Sequence, residues 1–315
     1  MSSHAQSTRF LESLALDDPR AATAQAAILG VPYDGAVTYR GGASGGPEGL
    51  RLASDSIESY CPKLDRDLAD HRYVDLGDLD CAVPGPEAGV AGATPGERLV
   101  RSLRQQLDAL PDLPLVAIGG DHLVAHPFLE RALERHPNLQ IIHIDAHMDL
   151  RAEWEGEPYN HATVLGRIRD RMGPDQRIHQ WGIRSGERVE YRLAAEDPRV
   201  ELLAPTRAAM LERVAALLAG PEVPPIYLTI DVDGIDPADI PGTGTPEPDG
   251  LQFGDVEAVL GALARGRRRS EGSEGSEAPA VVGADLVELA PALDPTGRSN
   301  VAAARLVRSL LLALM

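Results

Sequence analysis

Cysteine is nearly absent: Cys61 and Cys81 are the only two in 315 residues. Neither sits in a CxxC or CxH pattern, which leaves a disulfide framework or a thiolate metal site without support. Basic side chains are also scarce. Thirty Lys and Arg stand against 48 Asp and Glu, a formal charge of −18, which opposes binding to a phosphate backbone and favours the approach of small cations. Nucleic acid is therefore not an expected partner, although an acidic surface that only confers solubility would show the same balance. No run of about 18 apolar residues is present, and the opening MSSHAQSTRF lacks the basic start and apolar stretch of a secretory signal. These absences lead us to expect a cytoplasmic protein with no membrane span. Nor is there a visible repeat of about 20 to 50 residues.

What is present is a mixture of 43% hydrophobic and 25% charged residues, enough apolar material to bury a substantial core. Short apolar runs alternate with longer segments of helical period, the pattern of βα units around a parallel sheet. Expected strands are Ala26–Val31, Tyr73–Leu76, Leu115–Ile118, Gln140–Ile144, Arg177–Gly182, Ile226–Ile230 and Ala280–Asp285. Expected helices are Thr94–Leu110, Leu123–Arg135, Thr206–Ala219, Gly254–Ala264 and Arg298–Leu312, which would cover both sheet faces. The Gly-rich Arg40–Gly49 stretch does not fit GxGxxG and lacks a Lys-Ser/Thr ending. It reads as a loop in which Gly45, Gly46 and Pro47 lead into a helix from Glu48. The stretch 266–278, GRRRSEGSEGSEA, is too polar to order itself by burial. An apolar strand pattern resumes at Ala280, so we read 266–278 as a mobile surface loop inserted in one domain spanning 1–315.

In open parallel sheets ligands bind beyond the carboxyl ends of the strands, and here those ends are loaded. The run Leu115–Ile118 stops at Gly119-Gly120 and then presents Asp121 and His122; a lone histidine there also serves as a cap or packing residue. After Ile144 come Asp145, His147 and Asp149, every second residue, which in an extended segment puts all three on one side. After Ile230 come Asp231 and Asp233 with the same spacing. Asp236, before Pro237, fits an ordinary turn. Buried carboxylates without a cation would be badly desolvated, so a purely structural role is hard to sustain. Four carboxylates and two imidazoles form a hard oxygen and nitrogen set suited to Mn²⁺ or a related ion. Six ligands exceed a single zinc site and favour a pair of metals sharing carboxylates.

The segments GGDH (119–122), DAHxD (145–149) and DVDxxDP (231–237) resemble the signatures of the ureohydrolase family, the arginases and agmatinases, and they occur in the same order. The likeness extends from Gly30-Val31-Pro32-Tyr33-Asp34 through Gly242-Thr243-Gly244-Thr245-Pro246 to Asp285–Pro291. It implies an α/β fold, a three-layer α/β/α sandwich with a mostly parallel central sheet. It also implies two Mn²⁺ per subunit, with Ni²⁺ or Co²⁺ as alternatives. By motif, His122, Asp145, Asp149 and Asp231 would hold one metal, and His147, Asp145, Asp231 and Asp233 the other. Family members commonly form trimers or hexamers, so a homo-oligomer is expected.

The resemblance further implies hydrolysis of a guanidino compound to urea and an amine by a hydroxide bridging the two metals. Glu288 matches the family glutamate that pairs with the guanidinium. His161, in Tyr159-Asn160-His161-Ala162-Thr163, is similar to the histidine of the agmatinase Ser-His-Gly-Thr loop, to which proton shuttling is assigned. Asn160 and Ala162 depart from that loop, Leu123 follows GGDH where Ser is usual, and Thr229 stands where Ser often precedes the third motif. The GTGTPEPDGL segment and the His161 loop point to agmatine, giving putrescine and urea, within polyamine biosynthesis. Other guanidino substrates, formimino hydrolysis and a non-catalytic metal-stabilised binding module are the alternatives. His143 reads either as a packed strand histidine or as support for a ligand; His126 and Asp121 are not assigned as ligands.

Overall fold

Eight strands, all pairing in parallel, form one central sheet. The computed structural model describes residues 9–85, 92–220, 222–269 and 277–315. In chain order the strands are β1 (Ala26–Val31), β2 (Tyr73–Asp78), β3 (Leu115–Gly119), β4 (Gln140–Ile144), β5 (Arg177–Trp181), β6 (Val200–Leu202), β7 (Ile226–Asp231) and β8 (Val281–Val287). Across the sheet the order is β2-β1-β3-β8-β7-β4-β5-β6. Among the described residues, eight α-helices accompany them: α1 (Gly46–Ser54), α2 (Pro95–Asp108), α3 (His126–Arg135), α4 (Val164–Arg171), α5 (Arg188–Glu196), α6 (Arg207–Leu218), α7 (Phe253–Leu263) and α8 (Arg298–Leu314).

Strand alternation sorts the core into two layers. Ala26 and Ile28 of β1, Val116 and Ile118 of β3, and Ile142 and Ile144 of β4 pack with residues of α1, α6, α7 and α8. Their neighbours Ala27, Leu29, Ala117 and Ile141 pack with residues of α2, α3 and α4, and with Ala194 of α5. Because both faces are covered, the strands read as nearly continuous apolar runs. The expected three-layer α/β/α architecture is what the chain adopts.

Each expected strand and helix is present, with ends shifted by a few residues. Leu123–Arg135 is divided: His122–Ala125 forms a 3₁₀ turn capped by Asp121, and α3 begins at His126 with Pro127 in its first turn. Sequence patterning missed α4, α5 and β6. In α5 only Glu190 and Ala194 are buried, so no apolar stripe marks it. The stretch 266–278, expected to be a loop throughout, has strands at its two ends: Arg267–Arg269 pairs antiparallel with Glu277–Pro279. A main-chain ladder joins the two ends of this polar stretch. The rest of that stretch, 270–276, lies outside the described residues. Among the described residues no helix is long and apolar enough to cross a membrane.

Candidate metal centre and catalytic cleft

The sheet order places the loaded strand ends side by side. β3 and β4 follow one another in sequence but are separated by β8 and β7, which creates the reversal in strand order where ligands collect. Ile144 pairs with Ile230 across β4 and β7, so Asp145 and Asp231 leave neighbouring strands at one level. One step below lies a buried polar row, with His143 opposite Thr229 and Thr229 opposite Asp285.

His122 reaches this level because β3 ends on glycine. A Cβ on Gly120 would lie 1.6 Å from the Tyr33 carbonyl oxygen, an oxygen that also accepts from the Asp121 backbone N–H at 2.7 Å. Only glycine permits that approach. Asp121 serves as a strut, accepting from the N–H groups of Ala36 at 2.9 Å and Leu123 at 3.1 Å. Burial raises its carboxyl to about 7.

The six predicted side chains come together. His122 Nδ1 lies 2.9 Å from Asp149 Oδ2, 3.2 Å from Asp145 Oδ2 and 3.7 Å from Asp231 Oδ2. His147 Nδ1 lies 3.1 Å from Asp233 Oδ2 and 3.4 Å from Asp145 Oδ1. Asp145 thus faces both histidines. The convergence arises differently from the expected extended run: β4 ends at Ile144, and Asp149 adopts a left-handed φ of 52°. The turn aims Asp149 at His122, where alternation alone was expected to do so. The predicted turn residue Asp236 accepts from Ala238 N at 2.8 Å and Gly250 N at 2.9 Å.

Hydrogen bonds fix the donor set. Thr229 Oγ1 donates to Asp285 Oδ1 at 2.7 Å, so it accepts from His122 Nε2–H at 2.9 Å. With Nε2 engaged in this way, Nδ1 is the nitrogen left to face a ligand: it is buried, has no hydrogen-bond partner among the described residues and lies beside three carboxylates. Ligands at right angles about 2.1 Å from one hard ion lie about 3 Å apart, the scale of these separations. The groups fit a divalent cation. Electrostatics agree: burial, with Asp233, Asp145 and Glu288 nearby, pushes Asp231 well above its ordinary range, and Asp233 is raised by burial and Asp145. Burial opposes charge on His147, yet Asp233 and Asp145 hold it up to about 12. A cation among these carboxylates would relieve their repulsion.

His143 supports this set. Gln180 Nε2 lies 3.2 Å from His143 Nδ1, and His143 Nε2 is 2.8 Å from Asp145 Oδ2. His143 can also be grouped with His122, Asp145 and Asp149 as a potential metal ligand. Its Nε2 lies against the same Asp145 oxygen that faces His122 Nδ1, and from there it can donate a hydrogen bond to that carboxylate.

Glu288 follows β8 with a left-handed φ of 63°, and its Oε1 accepts from His122 N at 2.9 Å. Burial, reinforced by Asp121, raises its carboxyl well above the usual range. His161 Nε2 lies 3.4 Å from Thr38 Oγ1, and its Nδ1 is buried. Burial lowers its pKa, which favours the neutral imidazole. Asn160 holds the loop, donating from Nδ2 to Ala36 O at 3.0 Å and accepting from Ala162 N at 3.1 Å. Thus a departure from the expected loop sequence has a structural use.

These groups line a cleft of about 280 Å³ that includes His122, His147, Asp149, His161, Asp231 and Glu288. Its remaining wall was not anticipated. Arg151 lies over the Trp154 ring at 4.4 Å and pairs with Glu187 at 2.8 Å. Glu190, 2% exposed, accepts from Leu150 N. Arg184 donates to the carbonyls of Asp233 and Glu247, tying the third motif to the GTGTP segment, while Thr245 Oγ1 donates to Asp233 at 3.0 Å. Arg151 follows β4, whereas Glu187 and Glu190 follow β5, and charged residues dispersed in this way carry no periodic signal.

Comparison with known proteins gives a consistent result. The profile of the Arginase family matches residues 24–313. An agmatinase from Halalkalibacterium halodurans is 36% identical over 288 residues, covering 91% of each chain. The solved agmatine ureohydrolase of Thermoplasma volcanium superposes with a TM-score of 0.73 at 27% identity, covering 92% of this chain and 89% of that one. Proclavaminate amidino hydrolase from Streptomyces clavuligerus gives 0.79 at 25% identity, covering 100% and 99%.

Proposed function

The chain belongs to the arginase family, and from that premise we propose that it hydrolyses agmatine to putrescine and urea. The observation that carries this reading is the cluster at one level of the sheet: His122 Nδ1 within 2.9–3.7 Å of Asp149, Asp145 and Asp231, and His147 beside Asp145 and Asp233. We assign His122, Asp145, Asp149 and Asp231 to one Mn²⁺ and His147, Asp145, Asp231 and Asp233 to a second. Two such ions supply Lewis-acid stabilisation and make a coordinated water acidic enough to react near neutral pH.

The protein's own groups do the rest. Glu288, held by its bond from His122 N, accepts the guanidinium N–H groups and fixes the planar carbon over the cluster. Loss of the amine requires a proton on the departing nitrogen. His161, kept neutral by burial, takes a proton released from the attacking water and delivers it there. The tail of the substrate meets Arg151, Glu187 and Glu190. Arg151 is already neutralised by Glu187, so this wall is formally anionic. It suits the ammonium tail of agmatine better than the carboxylate of a guanidino acid.

We also read the chain as a single domain and as a cytoplasmic homo-oligomer, trimer or hexamer, to be checked by sedimentation. Urea release from metal-depleted protein resupplied with Mn²⁺, on agmatine, arginine, guanidinobutyrate and guanidine in parallel, tests the function. Agmatine should turn over preferentially; another winner moves the substrate, and no urea from any of them overturns the catalytic reading.

A further inference from the structure

A cavity of about 590 Å³, sharing no wall residue with the cleft, lies against α2, the first residue of α3 and Tyr159. In its wall is His126, 1% exposed, with neither ring nitrogen hydrogen-bonded among the described residues. A neutral imidazole carries one N–H donor and one acceptor, and native proteins leave few buried polar groups without partners. His126 therefore presents an N–H that needs an acceptor.

Guanidinium groups are concentrated around it. Four guanidinium groups, Arg98, Arg101, Arg104 and Arg171, share the wall with two carboxylates, Glu97 and Glu130. Asp108 and Glu134, beside the wall, also pair with Arg104 at 3.0 and 2.6 Å, so the four guanidinium groups are matched by four carboxylates in a chain of net charge −18. Both wall carboxylates are engaged. Glu97 accepts from Arg101 at 2.6 Å, and Glu130 pairs with Arg171 at 2.8 Å and Arg104 at 3.4 Å. Arg98 gives Nε and Nη1 to the carbonyls of Pro84 and Ala93 and has no ion pair among the described residues.

The walls are firmly set. A Cβ on Gly96 of α2 would lie 2.0 Å from the Tyr159 carbonyl oxygen, and the His126 and Tyr159 rings meet edge to face at 5.3 Å. We propose that this cavity is a binding site for a small oxyanion, held by the guanidinium groups of its wall and by the His126 ring N–H. A ligand there leans on Tyr159, two residues before His161, so the site is positioned to steady the loop that carries the proton-transfer group. The site itself does not depend on the catalytic reading.

Equilibrium dialysis of the full-length, metal-loaded protein against radiolabelled sulfate, at fixed ionic strength, tests the proposal. One saturable site per chain is expected, not displaced by agmatine and weakened about tenfold by Arg171→Met and by His126→Leu. Arg171 is half exposed, so its variant reports even if the buried His126→Leu fails to fold. Absence of saturable uptake, displacement by agmatine, or unchanged affinity in Arg171→Met would overturn the assignment.

Discussion

Glu288 is buried, raised well above the ordinary carboxylate range and anchored through the backbone of His122. Since it is absent from the metal set, removing its charge separates substrate binding from metal binding. Glu288→Gln is expected to retain its metal by elemental analysis while kcat/KM for urea release falls by about 10²–10³. His126 gives a pH signature instead. Burial, aided by Arg171 and Arg167, lowers its folded pKa to about 3 from an ordinary 6.5. Above 6.5 the ring is neutral in both folded and unfolded chains and contributes no slope. Below it the unfolded chain takes up a proton that the folded one refuses, so stability falls as pH drops from 6.5 towards 3. In His126→Leu the urea midpoint should change less between pH 7 and pH 5 than in the wild type. If the two proteins lose stability in parallel, another group controls that limb. Asp145, His147, Asp149, Asp231 and Asp233 were legible because two-residue spacing after apolar runs is a local pattern. Asp285 and Thr229 were not recognised as support for His122, because β7 and β8 become neighbours only through the sheet order.

Among the elements, β3 shows how tightly a strand end can be specified. Gly120 must let the chain pass the Tyr33 carbonyl, and the same crossing sets the height of His122. Gly120→Ala is expected to cost roughly 1–3 kcal/mol by overpacking, read from urea denaturation, and to weaken metal binding in parallel. Unchanged stability would mean that β1 and β3 can separate without loss. Strands and helices with an apolar stripe, such as α2 with Leu99, Val100, Leu103 and Leu107 buried, announced themselves in sequence. By contrast, α5 buries mainly the polar Glu190, whose carboxylate accepts from Leu150 N and Glu187 N. Its apolar contacts are limited to Ala194 and the partly buried Tyr191 and Leu193, too few to stand out as a periodic stripe.

For the whole molecule, the acidic cluster opposes its own burial unless a cation is present. Metal binding should therefore be a large part of thermal stability. Chelation is expected to lower Tm, and readdition of Mn²⁺ to restore it. Linkage gives about 4 kcal/mol when free metal exceeds Kd a thousandfold. Equal melting with and without metal, measured by calorimetry, would contradict this.

The central strand arrives last. By the time Asp233 has been synthesised, all six histidine and aspartate side chains of the cluster are already in the chain, but β8 begins only at Val281. β8 is the strand that sits between β3 and β7 and spaces His122 from Asp231. A nascent polypeptide therefore carries all six proposed ligands for some 48 residues of further translation (281 − 233) before the strand that spaces them begins. On the proposed assignment, ordered metal capture waits for β8, and a product terminated before it would hold the same residues without the strand that spaces them.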